Sequence, residues 1–173
     1  KTSANELWAN LEWFLEQVIP VAEEAKVKLA IHPDDPPLPK FWGNEQIITS
    51  TAAMERVTAL VPSPSNGICF CTGSLGPTGE DLVSSVRSLK EHIHFVHLRN
   101  TIGDANSFRE TWHDNGDLDL AAIVHALKDI GYDGTIRPDH VPSMLGDSNE
   151  NPGYEMQGRL YAAGYIRGLI QSS

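Results

Sequence analysis

The 173 residues carry a formal charge of −10, with 40% hydrophobic and 21% charged side chains. That balance suits a single soluble globular domain, residues 1–173, with a core of its own, and argues against a nucleic-acid or anionic-membrane surface, which needs clustered Lys and Arg. No apolar run approaches membrane-spanning length, "KTSANELW" lacks a signal peptide's apolar core, and Cys69 and Cys71 stand too close in one strand for a comfortable disulfide, so a reduced, cytoplasmic setting is expected.

Ser3 with Glu6 is a capping-box signature. Leu7, Leu11, Phe14, Leu15 and Val18 then recur at helical spacing, which predicts a helix to about Lys26, kinked at Pro20. Residues 27–31, "VKLAI", read as a buried strand that stops at His32. Pro33, Pro36, Pro37 and Pro39 end any ladder there, because proline lacks the N–H and fixes φ. The stretch 44–61 reads as a second helix capped by Asn44, with Ile47, Ile48, Met54, Val57 and Leu60 inward.

After the turn "SPSNG" come a strand, "ICFCTG", and a third helix over 80–91. "IHFVHLR" is the third strand, 117–131 a fourth helix stopped by Gly131, "GTIRPDH" the fourth strand, and 154–172 a closing helix. A helix followed by four strand-helix units is the signature of an α/β chain with a parallel sheet and helical crossovers.

Each strand ends on a residue able to bind a metal: His32, Cys71, His97 and Asp139, each about one strand-helix unit apart. In a closed barrel of such units the strand ends converge on one face, and functional residues come from several of them. Period-two alternation puts Phe95 with His97 and Arg137 with Asp139, while Cys71 rather than Cys69 lies at the carboxyl end of its strand. Taken singly, each has an ordinary explanation: a hydrogen-bonded His, a small buried thiol, an Asp in a turn after Pro. Four at equivalent places favour a metal site. Two imidazoles, a thiolate and a carboxylate suit Fe²⁺, Zn²⁺ or Mn²⁺, whereas Ca²⁺ would not want the thiolate. Spacing alone leaves the metal and the reaction open.

The blocks "AIHPDDPP", "FCTGSLG", "HFVHLRN", "RPDH" and "NENPGY…GRLYAAGYIRGL" together, in this order, resemble the mannonate dehydratases. The resemblance implies a TIM-type (β/α)₈ barrel related to the sugar isomerases. It also implies a Mn²⁺- or Fe²⁺-dependent lyase that converts D-mannonate to 2-dehydro-3-deoxy-D-gluconate and water in hexuronate (glucuronate) catabolism. The family's metal ligands fall on His32, Cys71, His97 and Asp139, and its acid/base pair on His140 and Tyr154, without saying which is the base.

For substrate contacts the sequence offers Arg99, in "HLRN", and more weakly Arg159, whose plain alternative is a surface ion pair. Asp34 and Asp35 could orient His32 or bind sugar hydroxyls, or Asp34 could simply cap the turn between prolines. His113 could close over the site or simply face solvent. His92, His94 and His125 read as structural.

The departure is length. A complete barrel needs about 250 residues, and the four strands here resemble the carboxyl-terminal half of the family's chains. The expected partners are therefore the sugar acid, a missing amino-terminal barrel half, and further copies in a homo-oligomer. A metal-dependent isomerase of a related barrel, or a non-catalytic metal-binding fragment, are the alternatives.

Overall fold

The computed structural model describes residues 1–172. Helix α1 (Ala4–Ala25) starts where the capping box puts it: Ser3 Oγ accepts the Glu6 N–H, and the Glu6 carboxylate accepts the Ser3 N–H at 2.7 Å. Pro20 lies inside the helix, and Lys26 ends it in the left-handed region at φ 56°, its N–H turned back to the Ala22 and Glu23 carbonyls. Trp8, Leu15, Ile19 and Ala22 form the buried stripe, leaving Trp13, Phe14 and Val21 exposed.

Strand β1 (Leu29–Ile31) is followed by a small antiparallel hairpin, β2 (Lys40–Phe41) with β3 (Asn44–Glu45), and then by α2 (Thr51–Leu60). Strand β4 (Asn66–Cys71) runs into the short helix α3 (Thr72–Leu75), a 3₁₀ turn over 76–78 and α4 (Leu82–Ser88). Strand β5 (Ile93–Leu98) leads into a second hairpin, β6 (Asn100–Asp104) with β7 (Ser107–Thr111), and then α5 (Leu120–Asp129). After β8 (Thr135–Pro138) a loop over 139–155 reaches the closing helix α6 (Met156–Ser172).

The main sheet is parallel throughout, in the order β1-β4-β5-β8, as expected for strand-helix units. Its register aligns Cys71 with His97 and His97 with Arg137. Buried Ile68, Phe70, Val96 and Leu98 pack with the helices, whereas Phe95 and His97, on the other face of β5, are only half-buried. Among the described residues strands β1 and β8 each pair on one side only, so the sheet they form is open at both edges. Among the described residues no helix is long and apolar enough to cross a membrane.

The structure departs from expectation in two places. The second helix begins at Thr51, capped by Ser50 on the Ala53 N–H at 3.1 Å, not at Asn44. Residues 44 and 45 are instead drawn into the β2–β3 hairpin, helped by a Lys40–Glu45 ion pair, and the Ile47 and Ile48 amides are taken by Asp34. The stretch between the third strand and the fourth helix, to which the sequence assigns no element, holds the β6–β7 hairpin. Asn100 fixes its base: the side chain donates to the His113 and Leu118 carbonyls and accepts the Leu118 N–H.

Candidate metal centre

The parallel sheet brings the carboxyl ends of its four strands together. His32 follows β1, Cys71 ends β4, His97 lies near the end of β5 and Asp139 follows β8, so each reaches the same place from its own strand. One donor atom from each of the four lies within 4.8 Å of the others. His32 Nδ1 donates to the Pro33 carbonyl at 2.7 Å, which turns Nε2 towards the centre, 3.2 Å from His97 Nδ1.

Burial alone would push the Cys71 thiol up. Hydrogen bonds from His32 and His97, with the charge of Arg99, outweigh it and hold the thiol down at about 5. For its neighbour Cys69, burial outweighs a hydrogen bond from the His97 backbone and the charge of Arg137 and pushes the thiol up to about 12. The two thiols are thus driven in opposite directions, Cys71 towards the thiolate and Cys69 away from it. For His32, burial works to lower the pKa, but Cys71 and the Pro33 carbonyl raise it overall. Asp139 is buried, with Arg99 Nε at 3.2 Å and His97 Nδ1 at 3.7 Å, yet among the described residues nothing donates it a hydrogen bond. A buried carboxylate, a thiolate and two facing imidazole nitrogens converging on one point form a donor set that a divalent cation would satisfy. The donor set fits the ion that the sequence implied.

Arg99 is the organising residue around this cluster. It is 1% exposed, its Nη2 donates to Asp35 and to Ser74 Oγ, and its Nη1 donates to Glu110. Thr72 Oγ1 locks its backbone by accepting the Arg99 N–H at 2.9 Å and donating to the Arg99 carbonyl at 2.6 Å. Gly73 makes the room: a Cβ there would overlap the Arg99 side chain. Ser74 completes the link by donating to Cys71 Sγ at 3.2 Å.

His140, next to Asp139, lies with Nδ1 2.9 Å from Glu110 Oε1 and Nε2 2.6 Å from Tyr154 Oη. The two rings meet edge-on, and the Arg159 guanidinium sits over the Tyr154 ring at 4.8 Å. The hydrogen bond to Glu110 raises the His140 pKa, against burial and the charge of Arg99. Tyr154 is 43% exposed, so the pair faces open space on one side.

The sequence-derived candidates thus divide. His32, Cys71, His97 and Asp139 converge, and His140 meets Tyr154 beside them. Arg99, expected to meet substrate oxygens, is buried here, and its Nη1 and Nη2 donate to Glu110, Asp35 and Ser74. Asp34 accepts the Ile47 and Ile48 N–H groups at 3.0 and 2.8 Å and so shapes the proline loop, while it is Asp35 that reaches Arg99. His113, read as a cover or as exposed, is buried and bonded through Nε2 to the Leu98 carbonyl at 2.7 Å. Arg159 stacks on Tyr154 and among the described residues forms no surface ion pair. Among the residues read as structural, His94 fits, bonding the Leu29 carbonyl at 2.6 Å.

Glu110 and Ser74 were missed. The signal for Glu110 was the pair of short runs around the turn residues Asp104–Asn106, a hairpin pattern that puts Phe108 and Glu110 on one face.

The D-mannonate dehydratase (UxuA) family model matches residues 1–173. A mannonate dehydratase of Oceanobacillus iheyensis is 47% identical over 170 residues, which cover 96% of this chain and 48% of that one. The crystal structure of mannonate dehydratase from Streptococcus suis serotype2 superposes with a TM-score of 0.95 at 40% identity, covering 99% of this chain and 50% of that one. A D-tagatose 3-epimerase-like protein superposes at 0.73 with 18% identity over 96% of this chain and 55% of that one, a likeness of fold alone. The chain spans about half the length of the relatives it matches.

Proposed function

Since the chain belongs to the mannonate dehydratase (UxuA) family, we propose that it carries the metal and acid–base machinery of a hydro-lyase that converts D-mannonate to 2-dehydro-3-deoxy-D-gluconate and water. The observation that carries this reading is one composite arrangement: the His32, Cys71, His97 and Asp139 donors within 4.8 Å of one another, beside the hydrogen-bonded His140 and Tyr154.

The chemistry asks for such a site. The proton on C2 of a sugar acid is hard to remove, because the charge left behind lies next to a carboxylate. A divalent ion, Mn²⁺ or Fe²⁺, held by the four ligands would supply positive charge to the substrate carboxylate and a neighbouring hydroxyl. His140 and Tyr154 form the proton-moving pair, one taking the C2 proton and the other giving a proton to the C3 hydroxyl, whose C–O bond breaks to release water. The resulting enol gains a proton at C3 and becomes the 2-keto acid. Arg99 keeps the thiolate, Asp35 and Glu110 in place around this chemistry.

We read residues 1–173 as one domain, the carboxyl-terminal half of a TIM-type barrel. Half-length coverage of the relatives, the open edges of β1 and β8 and the half-buried inner-face Phe95 and His97 support this. The remaining strands come from an amino-terminal portion, and the assembled protein is a cytoplasmic homo-oligomer.

Intact mass under denaturing conditions, measured alongside turnover of D-mannonate with added Mn²⁺, tests both parts. A second polypeptide or a doubled mass, with 2-keto acid formed, supports the proposal. Turnover by the 173 residues alone overturns the need for the other half, and a complete barrel that binds Mn²⁺ without forming product overturns the dehydratase reading.

A further inference from the structure

Glu110 has more to do than neutralise Arg99. The β6–β7 hairpin, anchored at its base by Asn100, brings it over the site, and its Oε1 meets two groups at once: Arg99 Nη1 and, at 2.9 Å, His140 Nδ1. We propose that Glu110 is the positioning residue for His140: its carboxylate accepts the Nδ1–H, fixing the ring and its tautomer so that Nε2 is the bare nitrogen accepting from Tyr154. The inference rests on reading His140 and Tyr154 as the acid–base pair.

The geometry offers a rival. Arg99 Nη1 stands 2.7 Å from the same Nδ1 and, being a guanidinium, can only donate to it. With Arg99 as the donor, Nδ1 is bare, Nε2 carries the proton, and Tyr154 must accept across the 2.6 Å contact. With Glu110 as the acceptor, Nε2 is bare and the Tyr154 hydroxyl donates.

Charge favours the second arrangement. A bare Nδ1 would point its lone pair at a carboxylate oxygen 2.9 Å away with no proton between them. A protonated Nδ1 instead makes a charge-assisted bond to that oxygen, which has lone pairs for both His140 and Arg99. The Arg99 charge beside the ring is offset by Asp35 and Glu110. Arg99 thereby ties the acid–base histidine to the loop after β1: Asp35, Arg99, Glu110 and His140 form one connected chain.

The test is the side-chain nitrogen spectrum of His140 in ¹⁵N-histidine-labelled protein, read where the imidazole is neutral. The proposal expects the Nδ1–H form in the native protein and loss of that preference in Glu110→Leu, which removes the acceptor. With D-mannonate, Glu110→Leu should lower kcat about 10- to 100-fold, the range for outer hydrogen-bond partners of functional histidines, with KM and Mn²⁺ affinity close to native. An Nε2–H form in the native protein overturns the proposal, as does a Glu110→Leu tautomer identical to native. Should Glu110→Leu fail to fold, the native tautomer decides alone. Absence of product from the native protein would overturn the dehydratase reading while leaving the tautomer measurement to decide this one.

Discussion

His32 Nε2 and His97 Nδ1 face each other at 3.2 Å although their strands, β1 and β5, are not neighbours in the sheet. The strand between them, β4, contributes Cys71 in register with His97. Three donors on three successive strands are placed by backbone register, not by long flexible side chains, and the Asp139 carboxylate arrives from the fourth. A site built this way is preorganised for its ion.

The first consequence is thermal. At about a hundredfold excess of free Mn²⁺ over its Kd, the bound ion should add about 2.7 kcal/mol of stability, measured as a rise in Tm that EDTA reverses. Cys71→Ser and Asp139→Asn should lose most of that rise, while Cys69→Ser keeps it. Equal loss in both cysteine variants would contradict the assignment of Cys71 rather than Cys69 as the ligand.

The metal-free chain carries a pH signature. The Cys71 thiol lies at about 5 in the folded chain against an ordinary thiol value of 9.0. A depressed pKa contributes stability that is complete above 9 and is lost as pH falls towards 5. Urea unfolding across that window should show the stability advantage of the native chain over Cys71→Ser shrinking with acidification. Parallel curves for the two proteins would show that Cys71 folds as an ordinary thiol.

Gly73→Ala sets a methyl against the buried Arg99 side chain. Overpacking at a filled site costs about 1–3 kcal/mol, and the displaced guanidinium should weaken Mn²⁺ binding as well. Gly164→Ala on α6 meets nothing within 4 Å and should be neutral or stabilising by up to about 1 kcal/mol. Chemical denaturation of both variants, with Mn²⁺ titration of the first, checks the contrast.

Asp34→Ala removes the acceptor for two backbone N–H groups in the proline loop. Left without partners these cost about 1–3 kcal/mol, so the variant should lose Tm while the native and variant proteins bind Mn²⁺ alike. A variant of native stability with weakened substrate binding would restore Asp34 to a direct role.

Periodicity made the order of the parallel units legible, because each strand-helix unit must bury its own apolar stripe. The four ligands were legible for the same reason, since strand ends repeat with the unit. The hairpins were not: β2 and β3 are two residues each, too short for alternation to declare itself, and α2 loses its first turns to Asp34, an acceptor that becomes available only once the loop is folded. Arg99 shows the wider limit. Its position at a strand end was legible, but its burial and its protein partners were not, because Gly73, Asp35 and Glu110 meet it only in the folded chain.

Cobalt substitution tests the central claim most directly. Loaded into the protein, Co²⁺ should give a thiolate-to-metal charge-transfer band that Cys71→Ser abolishes and Cys69→Ser leaves intact. A Co²⁺-loaded protein without that band, or one whose band survives Cys71→Ser, would mean that these four residues do not hold the ion together.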